Sequence, residues 1–143
     1  MSAAQQPTAA GQDETASAGQ HRAAPAGAEN VARLERAVAL LVRHVGHWEA
    51  GRWSAPAQTA APAQTAAPGA GQSRADRVHA LVQRLADAAA GAEGEALRPV
   101  PRLADRVLSD QLRVMADDLV AAGAPAEAVT DAADDVDEVR RTL

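Results

Sequence analysis

The chain has no cysteine, phenylalanine or tyrosine, and isoleucine and lysine are missing as well. Lack of cysteine excludes a disulfide framework, a thiolate metal site and a cysteine nucleophile. All 14 basic residues are arginine, which together with abundant Ala, Gly, Pro and Val follows GC-rich codons. We read this bias as that of a GC-rich bacterial genome, not as selection for guanidinium chemistry. Long apolar runs are absent: the longest, Ala37 to Val42, is bounded by Arg36 and Arg43, against the roughly 20 residues a spanning helix needs. The opening MSAAQQPTAAGQ has neither the charged nor the apolar region of a signal peptide. A soluble cytoplasmic protein without membrane contact is expected.

Catalytic signatures are missing too. There is no glycine-rich phosphate loop between a strand and a helix, no G-x-S-x-G elbow and no H-E-x-x-H pair. No catalytic residue, metal ligand or cofactor is therefore assigned, and a non-enzymatic role is expected. The net charge of −5 is unevenly spread: residues 107 to 143 hold nine acidic residues against three arginines, a balance of −6. Affinity for duplex nucleic acid comes from neutralising phosphates, so no nucleic-acid partner is expected.

What is present is alanine, 39 residues of it, a side chain that loses little entropy on folding and buries little surface. Leu, Val, Met and Trp must form the core. Residues 1–27 are Ala, Gln, Gly, Pro, Ser and Thr without periodicity and are expected to be disordered. From 28 to 53 the pattern changes: Val31, Leu34, Val38, Leu41, Val45 and Trp48 alternate spacings of three and four, a heptad stripe on an amphipathic helix with Asn30 near its cap. Residues 54–72 form an Ala/Pro/Gln/Thr linker in which APAQTA recurs at 55–60 and 61–66, with prolines that oppose helix.

Residues 73–143 read as a helical bundle. Ser73 and Asp76 have capping-box spacing, and Val78, Leu81, Val82 and Leu85 share the face of a helix ended by Gly91 and Gly94. Residues 95–108 begin with an extended Pro-x-Pro segment, with a short helical turn expected from Arg102, and Ser109 is expected to cap a third helix that runs to Ala122 with Leu112, Met115, Ala116 and Leu119 inward. Gly123 and Pro125 separate it from a fourth, carried by Val129, Val136, Val139 and Leu143. No segment alternates with period two. The fold class is all-α: a small bundle of three to four helices, with the 28–53 helix expected to dock on it or on a second copy, because about 70 residues of Val, Leu and Ala make a marginal core.

Two clusters invite a chemical reading. His44 and His47 lie one turn apart on the side of the helix away from the stripe, with Glu49 near, but a tight metal site needs further ligands that the sequence does not supply. Asp117, Asp118, Asp131, Asp134, Asp135, Asp137 and Glu138 suit a magnesium site in composition, yet they spread over outward helix faces, whereas bundle metal sites project carboxylates inward. The leading expectation is a protein-interaction or regulatory module that meets another protein, or itself, through the helix at 29–50. Its interface candidates are Val31, Leu34, Val38, Leu41, Val45, Trp48 and Trp53. An antitoxin-like or other acidic regulator of a basic protein is the alternative, and a small metal-dependent all-α hydrolase a further one.

Overall fold

The computed structural model describes residues 23–58 and 71–143. Five α-helices form among them: α1 (Ala23–Val45), α2 (Ala50–Ser54), α3 (Arg74–Glu93), α4 (Leu108–Ala121) and α5 (Ala126–Thr142), with a 3-10 turn at Asp105–Val107 leading into α4. No strand forms among the described residues. The molecule is all-α, with four long helices in the bundle and one short helix at its end.

Local chemistry sets most boundaries. At Ser73 the expected capping box is complete: the Asp76 amide donates to the Ser73 hydroxyl at 3.1 Å, and the Ser73 amide donates to the Asp76 carboxylate at 3.3 Å. α3 continues through Gly91 and stops at Gly94, whose φ of 71° is left-handed. Gly123, with φ of 65°, makes the corner between α4 and α5.

Three boundaries differ from the sequence pattern. α1 starts at Ala23, five residues before the expected 28, because alanine is the best helix former and Pro25 falls among the first residues, whose amides have no helical partner. Asn30 is therefore internal to α1, and its amide donates instead to the Ala126 carbonyl at 3.3 Å. The expected helix over 28–53 is broken after Val45. A Cβ on Gly46 would lie 2.9 Å from the Val42 carbonyl oxygen, so the chain turns there, and α2 begins after Glu49. Ser109 is the second residue of α4 and makes no cap, because the Leu108 amide already bonds to Asp105 in the preceding 3-10 turn. Of the tail expected to be disordered, residues 1–22 lie outside the described residues, as do 59–70 of the expected linker.

Cross-helix bonds give the directions. Asn30 on Ala126 and the Arg33–Asp134 ion pair bring the start of α1 to the start of α5, so these helices run parallel. Arg84–Asp135 at 2.8 Å and Arg77–Glu138 at 4.0 Å make α3 antiparallel to α5. α3 and α4 are parallel, because Arg102 bonds Ala75 at the start of α3 and Gln111, in the first turn of α4, bonds Pro101 beside it. Two parallel pairs, α1 with α5 and α3 with α4, thus face each other. Parallel neighbours require a crossover, and residues 94–104 supply it by running back along α3. Leu34, Leu41, Leu81, Leu85, Leu108, Leu112 and Leu119 are fully buried between the four helices, with Val45, Val78, Val82 and Val136.

The ends of the 54–72 segment are stitched together. The Ala57 amide donates to Gln72 and the Arg74 amide to Ala55, both at 2.9 Å, around an isolated bridge between Pro56 and Ser73. The Gln58 amide also donates to Thr142 at 2.9 Å. The chain therefore leaves the bundle and re-enters it at one place, and the segment does not tether a separate helix.

Candidate interaction surface

The seven residues expected to meet a partner are used inside the chain. Leu34, Val38, Leu41, Val45, Trp48 and Trp53 are buried, and Val31 is half-buried against the same core. The heptad spacing reports docking of α1 on α5 and α4, which gives the small bundle its fourth helix.

The histidine and tryptophan stretch is a packed helix end. The Trp48 and Trp53 rings meet edge to face at 5.1 Å, His44 meets Trp48 at 5.4 Å, and the Arg52 and Arg74 guanidiniums lie 5.1 and 5.3 Å from the Trp48 ring centre. Cation–π and aromatic packing thus close the end of the bundle where α1 stops. Partial burial lowers the His44 pKa below its ordinary value, and Arg52, His47, Arg140 and Arg74 lower it further. A ring in that positive field is a poor start for a cation site. Among the described residues no group of three or more metal-binding side chains comes together.

The acidic cluster is likewise spread over structural partners. Asp134 pairs with Arg33, Asp135 with Arg84, Asp137 with Arg140 at 3.3 Å and Glu138 with Arg77 at 4.0 Å, so four of its carboxylates tie α5 to its neighbours or its own last turn. Such exposed pairs contribute about 0–1 kcal/mol each. Asp117 and Asp118 point outward from α4.

The exposed apolar surface lies on the other side, around the crossover. Pro99 and Pro101 have no amide hydrogens, so Val100 is the only donor among the three residues. The Gln83 side chain accepts from that donor at 2.7 Å and donates to the Arg98 carbonyl at 3.0 Å. His79 Nε2 lies 3.2 Å from the Val100 carbonyl oxygen, and Arg102 donates to Ala75 at 3.1 Å while pairing with Asp76 at 3.3 Å. From α4, Gln111 donates to the Pro101 carbonyl at 3.1 Å. Polar side chains of α3 and α4 thereby replace the backbone partners an extended strap would otherwise lack.

Between this strap, the second half of α3 and the second half of α4 lies a groove of about 1030 Å³. Ala86, Ala89 and Ala90 of α3 form its floor, Val100, Met115 and the exposed Ala121 line it as well, and its charged lining is Glu93, Glu95, Asp118 and Arg98. Met115, expected inward, is only partly buried because it belongs to this groove. The exposed large apolar side chains are Leu97 (66%), Leu103 (47%) and Val114 (51%). Leu97 and Leu103 belong to the strap, and Val114 lies on the face of α4 that Asp118 and Ala121 share.

No family model, curated protein or solved structure matches this chain. Its function is therefore argued from this surface alone. Sequence periodicity does not reveal the groove, because its floor is alanine, which is equally common on faces that are merely solvated. The signal that could have found it is the Pro-x-Pro segment itself, since Pro99, Val100 and Pro101 line the groove and no helical stripe absorbs them.

Proposed function

We propose that this protein is a non-enzymatic interaction module, regulatory in character and acting in the cytoplasm, whose partner binds the face formed by α3, the strap and α4. One observation carries the reading: a groove of about 1030 Å³ between α3, the strap and α4 is lined by Val100, Met115 and several alanines and bordered by Glu93, Glu95 and Asp118. Concave sites lined by apolar side chains with a few convergent polar groups are where other molecules bind. No described helix is long and apolar enough to cross a membrane, which favours a protein partner over a bilayer. An acidic regulator of a basic protein is a more specific form of the same function, favoured by Glu93, Glu95 and Asp118 in the groove lining.

The test compares the wild-type chain with Ala96→Arg, Asp118→Arg and Ala121→Arg variants of the groove lining. We expect near wild-type melting temperatures, since these side chains are exposed, and loss of complexes formed by the wild-type chain in extracts of its host. Complexes that survive all three substitutions would overturn the reading.

A further inference from the structure

We infer that the occupant of the α3–strap–α4 groove is a basic amphipathic helix of another protein, offering about two turns of small or medium apolar side chains flanked by Arg or Lys. The inference rests on the interaction reading above and adds the chemistry of the partner.

The shape argues for a helix. Along α3 the groove runs from Ala86 to Glu93, eight residues or about 12 Å of helix at 1.5 Å per residue. Its alanine floor lets another backbone approach to the short end of the usual interaxial range of about 8–10 Å. Met115, flexible and polarisable, adapts to the incoming side chains.

The charge argues for basic flanks. Glu93, Glu95 and Asp118 border the groove, and its one cation, Arg98, already faces Glu95 at 4.0 Å. A second copy would bring a like-charged rim against this one, which is destabilising. The chain's own undescribed segments fit poorly. Residues 1–22 carry a net −1 and no Leu or Val, and residues 59–70 carry neither a charged residue nor a Leu or Val. A cationic partner helix satisfies both the apolar floor and the acidic rim.

The probe is a phage-displayed library of 16-residue helical peptides with randomised outward positions, selected on the full chain at low salt. Winners are read for charge and assayed by fluorescence anisotropy. We expect winners with an apolar i, i+3, i+4, i+7 row and a net charge of at least +2, whose affinity falls at least tenfold in 0.5 M salt and at least tenfold against Ala90→Arg, which fills and recharges the floor. Glu93→Arg with Asp118→Arg should shift the selection toward acidic peptides. Winners that depend on the groove but show no basic bias would overturn the charge assignment while leaving the interaction reading standing. Winners indifferent to Ala90→Arg, or none at all, would overturn both. Competition by a synthetic peptide of residues 1–22, or self-association of the chain in sedimentation that is lost in Ala90→Arg, would instead assign the groove to the chain itself.

Discussion

Gln83 shows how one side chain substitutes for a missing strand. Its amide bonds the strap twice, accepting from the Val100 amide and donating to the Arg98 carbonyl. Gln83→Ala is expected to cost about 1–2 kcal/mol in chemical denaturation, at about 1 kcal/mol per hydrogen bond, and to speed hydrogen exchange at the Val100 amide. Unchanged exchange there would show that the prolines alone hold the strap. Trp53 is the contrasting case, an apolar anchor that is 2% exposed. Trp53→Ala should cost about 3–5 kcal/mol, read from the denaturation midpoint. His44 gives the pH dependence. Because its folded pKa lies below the ordinary 6.5, the unfolded chain binds the proton more readily, so its contribution is complete above about pH 6.5 and is lost as pH falls through the lowered folded value. Melting temperatures measured from pH 7.5 to 5 should fall for the wild type and fall less for His44→Gln. Trp48 and Trp53 were legible as large packing residues, but their mutual contact was not, since it depends on the turn at Gly46 that separates their helices.

The helices were legible in proportion to their length. α3 and α5 present four or more buried positions in helical register, so their faces follow from spacing alone. α2 has five residues, too few to show a period, and the heptad reading ran through it. The start of α1 escaped for a different reason: an alanine run has high helix propensity but no apolar face, so periodicity is silent where propensity speaks. Caps were more mixed. Ser73 carried a partner at the right spacing, whereas Ser109 and Asn30 were judged from residue type alone and are both interior. Ser73→Ala is accordingly expected to cost about 1 kcal/mol, while Ser109→Ala should lie within about 0.5 kcal/mol of wild type, both by urea titration. The strap was legible as a non-helical Pro-x-Pro segment. Its path was not, because it follows from side chains of α3 and α4 that meet it only after folding.

At the scale of the whole molecule, the seam at Ala57 and Gln72 separates the fold from the length of the segment it closes. Deleting one six-residue copy, Ala61–Ala66, halves the 12 residues between the described parts. Because loop-closure entropy varies only with the logarithm of length, stability should change by about 0.6 kcal/mol or less, checked by thermal melting. A large loss would mean that the excised residues pack on the bundle. Fold class could be read from the sequence because four amphipathic stripes with no period-two segment have few other arrangements. The choice between cis docking and association between chains could not, since a stripe looks the same whichever surface covers it.

The parallel pairing has an electrical side. Each helix carries roughly half a negative charge at its carboxyl end, and antiparallel neighbours cancel these fields, whereas α3 and α4 end side by side where Glu93 and Ala121 border the groove. The backbone therefore adds its own negative potential to that of the carboxylates, while the starts of α1 and α5 place the opposite sign across the bundle. Neutralising Glu93, Glu95 and Asp118 should consequently weaken the preference of the groove for cations without abolishing it.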